Sequence, residues 1–190
     1  MSAVLAANDK AQSLQRVWAL QSQYRAVREE LASLFTYEAW LLDNGEYEQW
    51  LGLMAPELRY VAPVRRKVPK EGLDMDSIEV PRVCHFNDGK TELGFRIGRM
   101  RTGYDHFNKP AAFVRRVIGG PLLLNYDETG GAATVSSNFM VFRAREEHEE
   151  ALLVGARDDV WKHQAEGGWL LSRRLIKLDH YMVPPLSMLF

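Results

Sequence analysis

Four apolar runs decide the fold: VRRVIGGPLLLNY (114–126), AATVSSNFMVFRA (132–144), ALLVGARDDVWKH (151–163) and GWLLSRRLIKLDH (168–180). Each is rich in β-branched, aromatic and leucine side chains, and turn chemistry separates them. Asp127-Glu128-Thr129-Gly130-Gly131, Glu146 to Glu150 and Ala165-Glu166-Gly167-Gly168 supply the breaks. Long runs joined by short turns predict an antiparallel meander. Strands of about a dozen residues must twist and coil, so the sheet is expected to curve around whatever it packs against.

Upstream, the period changes from two to between three and four. Leu31, Leu34, Phe35, Glu38, Ala39 and Leu42 make one stripe of an amphipathic helix that starts near Arg25 and stops at Asn44-Gly45. A short helix is expected over Glu46 to Met54, with Tyr47, Trp50, Leu51 and Met54 on one face and Pro56 ending it. Leu58 to Val64 reads as a strand, followed by a polar loop to about Pro81. The segment Leu93 to Arg101 fits a helix through Leu93, Ile97 and Met100, and a strand through Leu93, Phe95 and Ile97; Gly94 and Gly98 weaken both. Helices first and strands later is an α+β signature. The expected organisation is a loosely ordered arm over 1–24 and a single α+β domain over 25–190 that ends in an apolar tail.

Composition narrows the class. The chain has 190 residues, 46% hydrophobic and 26% charged, which suits one soluble globular domain. A chain of this size buries about 70% of its unfolded surface and needs no metal or disulfide staple. A net charge of -1 gives no footprint for nucleic acid. No apolar run approaches the roughly 20 residues of a membrane span, and Met1 to Lys10 lacks the basic start and apolar stretch of a secretory signal. A single cysteine, Cys84, excludes an internal disulfide and a Cys-ligated cluster within the chain. A cytoplasmic setting is expected.

The residues that carry chemistry are scattered. His85, His106, His148, His163 and His180 include no pair at helical ligand spacing. Asp158-Asp159 with His163, and Asp179-His180, are weak metal candidates. Tyr104-Asp105-His106 is the densest polar triplet, in which Asp105 or His106 would be the general base if one exists. Three arginine pairs, Arg65-Arg66, Arg115-Arg116 and Arg173-Arg174, are balanced by acidic residues overall and read as ion-pairing groups at subunit contacts. The final strand is apolar on both faces, with Trp169, Leu171 and Leu175 against Leu170, Ile176 and Leu178. The tail from Met182 to Phe190 is apolar to its last residue. Both features call for cover, either by the chain itself or by a neighbour.

An ordered set of motifs then becomes recognisable. Tyr37-Glu38-Ala39-Trp40-Leu41-Leu42-Asp43, Tyr47-Glu48-Gln49-Trp50-Leu51 and Tyr60-Val61-Ala62-Pro63-Val64-Arg65 come first. Arg99-Met100-Arg101-Thr102-Gly103, Ser137-Asn138-Phe139, Phe142-Arg143-Ala144-Arg145 and Gly155-Ala156-Arg157-Asp158-Asp159 follow, and Gly168-Trp169 through Arg173-Arg174 to Leu178-Asp179 closes the set. Together, over roughly residues 28–190, the chain resembles the small (β) subunit of aromatic-ring-hydroxylating dioxygenases. It departs from the pattern at Phe113-Val114-Arg115-Arg116-Val117, where family members often carry an Arg–x–x–His segment. The loop Val68 to Pro81 and the tail with Pro184-Pro185 are also individual.

The resemblance implies a cystatin-like, nuclear-transport-factor-like cone, in which a long curved antiparallel sheet wraps helices from the N-terminal half; the Leu93 segment would then be helical. It also implies a mainly structural β subunit that holds iron-bearing α subunits in a hexamer of three α with three β. The Rieske [2Fe-2S] cluster and the mononuclear Fe(II) would lie in the α subunit, and none in this chain. A ferredoxin and an NAD(P)H-dependent reductase would serve the complex, and the product from an aromatic hydrocarbon would be a cis-dihydrodiol. No catalytic, cofactor or metal residue is expected here, and Arg65, Arg66, Arg115, Arg116, Arg173, Arg174 and Phe190 are the expected interface groups. Two alternatives stand beside this. One is a free-standing dehydratase or isomerase on the same cone, using Asp105 or His106. The other is a self-associating module that is stable as a homotrimer.

Overall fold

The computed structural model describes residues 14–64, 83–101, 112–145, 149–180 and 189–190. Residues 14–23 are helical (α1). They are followed by α2 (Arg25–Asp43), α3 (Tyr47–Gly52), β1 (Met54–Pro63), β2 (Cys84–Asp88), α4 (Lys90–Arg101), β3 (Phe113–Ile118), β4 (Leu122–Asp127), β5 (Ala132–Arg145), β6 (Glu149–His163) and β7 (Trp169–Leu178). The helices pack against one face of a seven-stranded sheet of order β2-β1-β7-β6-β5-β3, with β4 also paired to β5.

Helix α2 buries Leu31, Phe35, Glu38 and Leu42 of the stripe read from the sequence; it also buries Leu41, which the stripe left out, while Leu34 and Ala39 are only half-buried. It ends where expected. Gly45 adopts φ 75°, and the amide of Glu46 donates to Leu41 O at 2.9 Å while Gly45 N donates to Leu42 O. That 6→1 and 5→2 pair is a Schellman closure, which needs a residue tolerant of positive φ at Gly45. The second helix is shorter than expected and the strand after it starts earlier, at Met54, so that Pro56 lies inside β1. The ladder to β7 slips between Met54 and Arg59, and the proline sits in that slip, where no ladder donor is required. Strand β2 carried no clear signal in the sequence. Segment 93–101 is helical, within α4. Its Gly94 lets Leu51 approach to 3.6 Å of where a Cβ would lie, whereas Gly98 has no such neighbour.

The meander β5–β6–β7 is antiparallel along its length. Two features depart from the expected sheet. The run 114–126 is two strands, β3 and β4, which lie end to end along the same edge of β5 and are separated by Gly119-Gly120-Pro121. The pair β1–β7 is parallel, so the sheet is mixed and not wholly antiparallel. A further correction concerns β7. Its register to β6 shifts between Val160 and Trp161, and Leu171 and Arg173 are the residues paired on either side. The extra residue, Ser172, flips the alternation. Trp169 and Leu171 therefore share the core with Ile176 and Leu178, which strict alternation had placed on opposite faces. Leu175 is left on the other face, paired with Val61 of β1.

The expected loose arm is also partly corrected. Residues 14–23 are helical, and Gln21 is buried, exchanging two hydrogen bonds with the main chain of Leu123: Nε2 to Leu123 O at 2.7 Å and Leu123 N to Oε1 at 3.1 Å. Tyr24 meets Tyr126 edge to face at 5.0 Å. An amide side chain that replaces both missing ladder partners of one residue is a specific dock, which low hydrophobicity did not reveal. Residues 1–13 lie outside the described residues.

Candidate functional site

The arginine pairs come first, because a strand turns neighbouring side chains to opposite faces. Arg115 points outward, with 75% of its side chain exposed, and approaches Asp43 Oδ2 at 3.6 Å. Arg116 points inward. Its Nη1 donates to Asp43 Oδ1 at 2.6 Å, and its Nη2 and Nε donate to Leu189 O at 2.7 and 3.3 Å. Arg173 is half-buried and Arg174 is fully buried. The reading of both members of each pair as docking groups is therefore corrected for Arg116 and Arg174, which are interior groups with partners in their own chain. Arg65 and Arg66 lie outside the described residues.

Arg174 sits at the centre of a buried charge cluster. Its Nη1 and Nη2 donate to Glu38 Oε1 and Oε2 at 2.6 and 3.1 Å, and its Nε and Nη2 donate to Asp159 Oδ1 and Oδ2 at 2.9 and 2.7 Å. Arg157 lies beside it, with Nη2 2.8 Å from Glu38 Oε2 and Nε 3.5 Å from Asp159 Oδ2. The first of these is a charge contact without hydrogen-bond geometry, since Arg157 Nη2 makes no hydrogen bond. Arg157 Nε donates to Ser137 Oγ at 3.3 Å, and Trp50 Nε1 donates to Glu38 Oε1 at 3.1 Å. Aromatic faces cover the cations: Phe35 lies 4.6 Å from the Arg157 guanidinium carbon, and Trp161 and Tyr60 lie about 6 Å from that of Arg174.

Two guanidiniums and two carboxylates balance, which is what makes their burial tolerable. Burial pushes the Glu38 carboxyl up, but Arg157 and Arg174 outweigh it and hold the group at about 2. Burial would lower Arg174, yet Asp159 and Glu38 raise it well above its ordinary value. Neither group is poised to exchange a proton near neutrality. The cluster is a structural clamp between α2, β6 and β7.

The described end of the chain completes it. Tyr60 Oη donates to Phe190 O at 2.8 Å and accepts from Phe190 N at 2.7 Å, and Arg174 Nη1 donates to the same oxygen at 2.6 Å. The ring of Phe190 lies 6.1 Å from Phe86 and 5.5 Å from Phe139. Phe190, expected at an interface, is instead 2% exposed in the core. Residues 181–188 of the tail lie outside the described residues.

On the opposite face of the sheet, one region of β3, β5 and β6 is apolar and exposed. Val117 of β3 pairs with Met140 of β5, and Phe142 of β5 stands between Arg115 and Leu152 of β6. With Phe113, these residues form a continuous patch in which Phe113 is 84% and Val117 63% exposed. Alternation predicts such a face once the inner face is fixed by Phe139, Val141 and Leu153.

The remaining candidates separate. Asp158 accepts from Ser136 Oγ at 2.7 Å and pairs with Lys177 Nζ at 2.7 Å, on the face opposite Asp159. His163 stands edge-on to Trp169 at 5.0 Å, and His180 Nε2 accepts from Val154 N at 2.9 Å. Burial pushes the Cys84 thiol up, away from a nucleophilic thiolate. Asp105, His106 and His148 lie outside the described residues. Among the described residues, no group of three or more His, Cys, Asp and Glu is placed to hold a metal. A Rieske centre takes two cysteines and two histidines, and the single cysteine of this chain does not fit one. The residues that sequence reasoning missed are Tyr60, Trp50, Arg157 and Asp159 as partners. The available signal was Glu38 in an apolar helix stripe, facing a strand that alternates Arg157, Asp159 and Trp161.

The family described as "Ring hydroxylating beta subunit" matches residues 37–185. The β subunit of 3-phenylpropionate/cinnamic acid dioxygenase of Photorhabdus laumondii is 31% identical over 165 residues, covering 85% of this chain and 90% of that protein. Among solved structures, naphthalene 1,2-dioxygenase with indole bound in its active site superposes with a TM-score of 0.73 at 22% identity, over 86% of each chain. An NTF2-like protein with a cystatin-like fold from Novosphingobium aromaticivorans gives a TM-score of 0.55 at 21% identity, over 84% of this chain and 88% of that one. The two structural likenesses speak for the fold, which is the α+β cone expected above. No helix among the described residues is long and apolar enough to cross a membrane.

Proposed function

Because this chain belongs to the ring-hydroxylating dioxygenase β-subunit family, we propose that it is the non-catalytic member of a terminal oxygenase, holding larger iron-bearing α subunits in a ring of three α and three β. The Rieske [2Fe-2S] cluster and the mononuclear Fe(II) reside in the α subunit. Electrons reach them from NAD(P)H through a reductase and a ferredoxin. The complex works in the cytoplasm and adds dioxygen to an aromatic ring to give a cis-dihydrodiol.

The observation that carries this reading is the division of labour between the two sheet faces. On the inner face, charge is neutralised internally by Glu38, Asp159, Arg157 and Arg174, and Phe190 fills the space between Phe86 and Phe139. The interior is built for rigidity. On the outer face, Phe113, Val117, Met140, Phe142 and Leu152 stand in water, beside the exposed cation Arg115. A patch of this kind is what an obligate subunit presents to a neighbour. Among the described members of the arginine pairs, Arg115 and Arg173 are the ones left to take part in such contacts. Closed symmetry would fix adjacent α subunits relative to one another and set any path between their redox centres.

Native mass measurement with metal analysis tests the proposal, on the chain produced alone and then together with its genomic neighbours. The expected particle contains equal numbers of this chain and a larger chain, with all iron in the larger one. Iron in this chain alone, or turnover of a small molecule by it, overturns the reading.

A further inference from the structure

We propose that α1 guards the free edge of the sheet, and that this edge, once bared, pairs with the same edge of a second copy of this chain. Among the described residues, β3 and β4 pair only with β5, so the main-chain groups on their other side belong to no ladder. Two helical side chains take such groups instead. Gln21 of α1 accepts from Leu123 N at 3.1 Å and donates to Leu123 O at 2.7 Å, and Asp43 of α2 accepts from Arg116 N at 3.0 Å. A side-chain amide carries the same donor and acceptor as a peptide group, so Gln21 acts as a strand one residue long. Its Nε2 also donates to Val17 O at 2.9 Å, which fixes the amide against its own helix.

Helix α1 is built for this amide and not for an apolar contact. Gln21 is the one buried residue over the described positions 14–24, while Leu14 and Trp18 stand exposed on the same helix. A helix docked through its apolar stripe would have the opposite arrangement. The strand that it covers needs cover. Pro121-Leu122-Leu123-Leu124-Asn125-Tyr126 carries no charge, and Leu122 and Leu124 are exposed. An apolar edge strand without a lysine is a template for pairing with another chain. In an antiparallel pair, two residues directly opposite can exchange both of their hydrogen bonds, and a two-fold axis can pass between them. Leu123 of a second copy fits the place of Gln21, because its N–H and C=O would meet the same two groups. Leu122 of each copy would then lie opposite Leu124 of the other.

Sedimentation velocity of the full chain over a range of concentrations tests the proposal. Gln21→Ala removes both bonds to Leu123, and alanine is the better helix former, so α1 itself is not weakened. This variant is expected to self-associate at a concentration about tenfold or more below any at which the parent does. Adding Leu122→Lys and Leu124→Lys sets like charges opposite one another across the two-fold, and should return the variant to the parent's behaviour. Gln15→Ala, at an exposed position of the same helix, should match the parent. Association no stronger than the parent's, association that survives the two lysines, or equal association of Gln15→Ala overturns the proposal. Should Gln21→Ala fail to fold, Gln21→Met keeps the length of the side chain and loses both bonds. The same self-association and the same reversal by the two lysines are then expected, and the absence of either overturns the proposal equally.

Discussion

Glu38 on α2 and Arg174 on β7 lie 136 residues apart in the chain and meet at 2.6 Å in an interior that water does not reach. The contact ties the main helix to the sheet, and Asp159 and Arg157 make it electrically neutral. Removing one member leaves an uncompensated buried charge, which costs about 3–5 kcal/mol. Glu38→Ala is therefore expected to lower the urea midpoint severely or to abolish soluble production. Glu38→Ala combined with Arg174→Met should recover part of the loss. A double variant no better than Glu38→Ala alone would show that packing, and not charge, dominates here.

The same cluster sets how stability varies with pH. Glu38 titrates at about 2 in the folded chain against an ordinary 4.5, so the unfolded chain takes up its proton more readily. Its contribution is complete above about pH 4.5 and is lost as pH falls towards 2. Tyr60 has the opposite sign. Burial, partly offset by Arg174, raises it to about 12 from 10.0. Its contribution is complete below pH 10 and disappears as pH rises through 12. Urea midpoints measured from pH 2 to 12 should fall at both ends, and Tyr60→Phe should flatten the alkaline limb while leaving the acid limb as it was. An unchanged alkaline limb in that variant would rule out Tyr60 as its source.

Gly155 marks a close approach between β6 and β7. A Cβ there would collide with the main-chain oxygen of Lys177 and come within 3.0 Å of the Phe139 ring. The obstacle is backbone, which cannot swing aside, so Gly155→Ala is expected to cost about 1–3 kcal/mol. Gly52→Ala is the matched control, since a Cβ there meets nothing within 4 Å. Equal melting temperatures for the two variants would contradict this packing.

The parts of the fold legible in the sequence are those fixed by local chemistry. The α2 stripe and its stop at Asn44-Gly45 follow from period and from one glycine with positive φ. The meander follows from long apolar runs between turns. What stayed hidden depends on partners far along the chain. Pro56 reads as a terminator until the ladder slip that accommodates it is seen. The two apolar faces of β7 read as a need for a second cover until the bulge at Ser172 puts Trp169, Leu171, Ile176 and Leu178 on one side. The arginine pairs read as surface features because spacing says nothing of partners. In the two described pairs, Arg115-Arg116 and Arg173-Arg174, strand alternation allows only one arginine to face out, and Glu38, Asp43 and Asp159 decide which. The family resemblance reached further than the residue inventory, because an ordered set of weak motifs carries topology that no single motif does.

The outer sheet face provides the sharpest separation of assembly from folding. Phe142 lies at the middle of the patch, flanked on the paired strands by Arg115 and Leu152, and it is partly exposed in the single chain. Phe142→Asp places a charge on a solvated surface, so it costs the isolated fold little, within about 0.5 kcal/mol. At a subunit contact the same carboxylate would be buried without a matched donor, at a cost of several kcal/mol. Circular dichroism and melting temperature of the chain alone are therefore expected to be unchanged, while co-purification of the larger subunit and oxygenase activity are lost together. Phe95→Asp is a suitable control, because that ring is exposed on α4, away from the patch. If Phe142→Asp assembles and turns over like the parent, the face between β3 and β6 is not where the subunits meet, and the contact must be sought on the helical side, where Trp18 and the stacked pair Tyr37 and Trp40 are exposed.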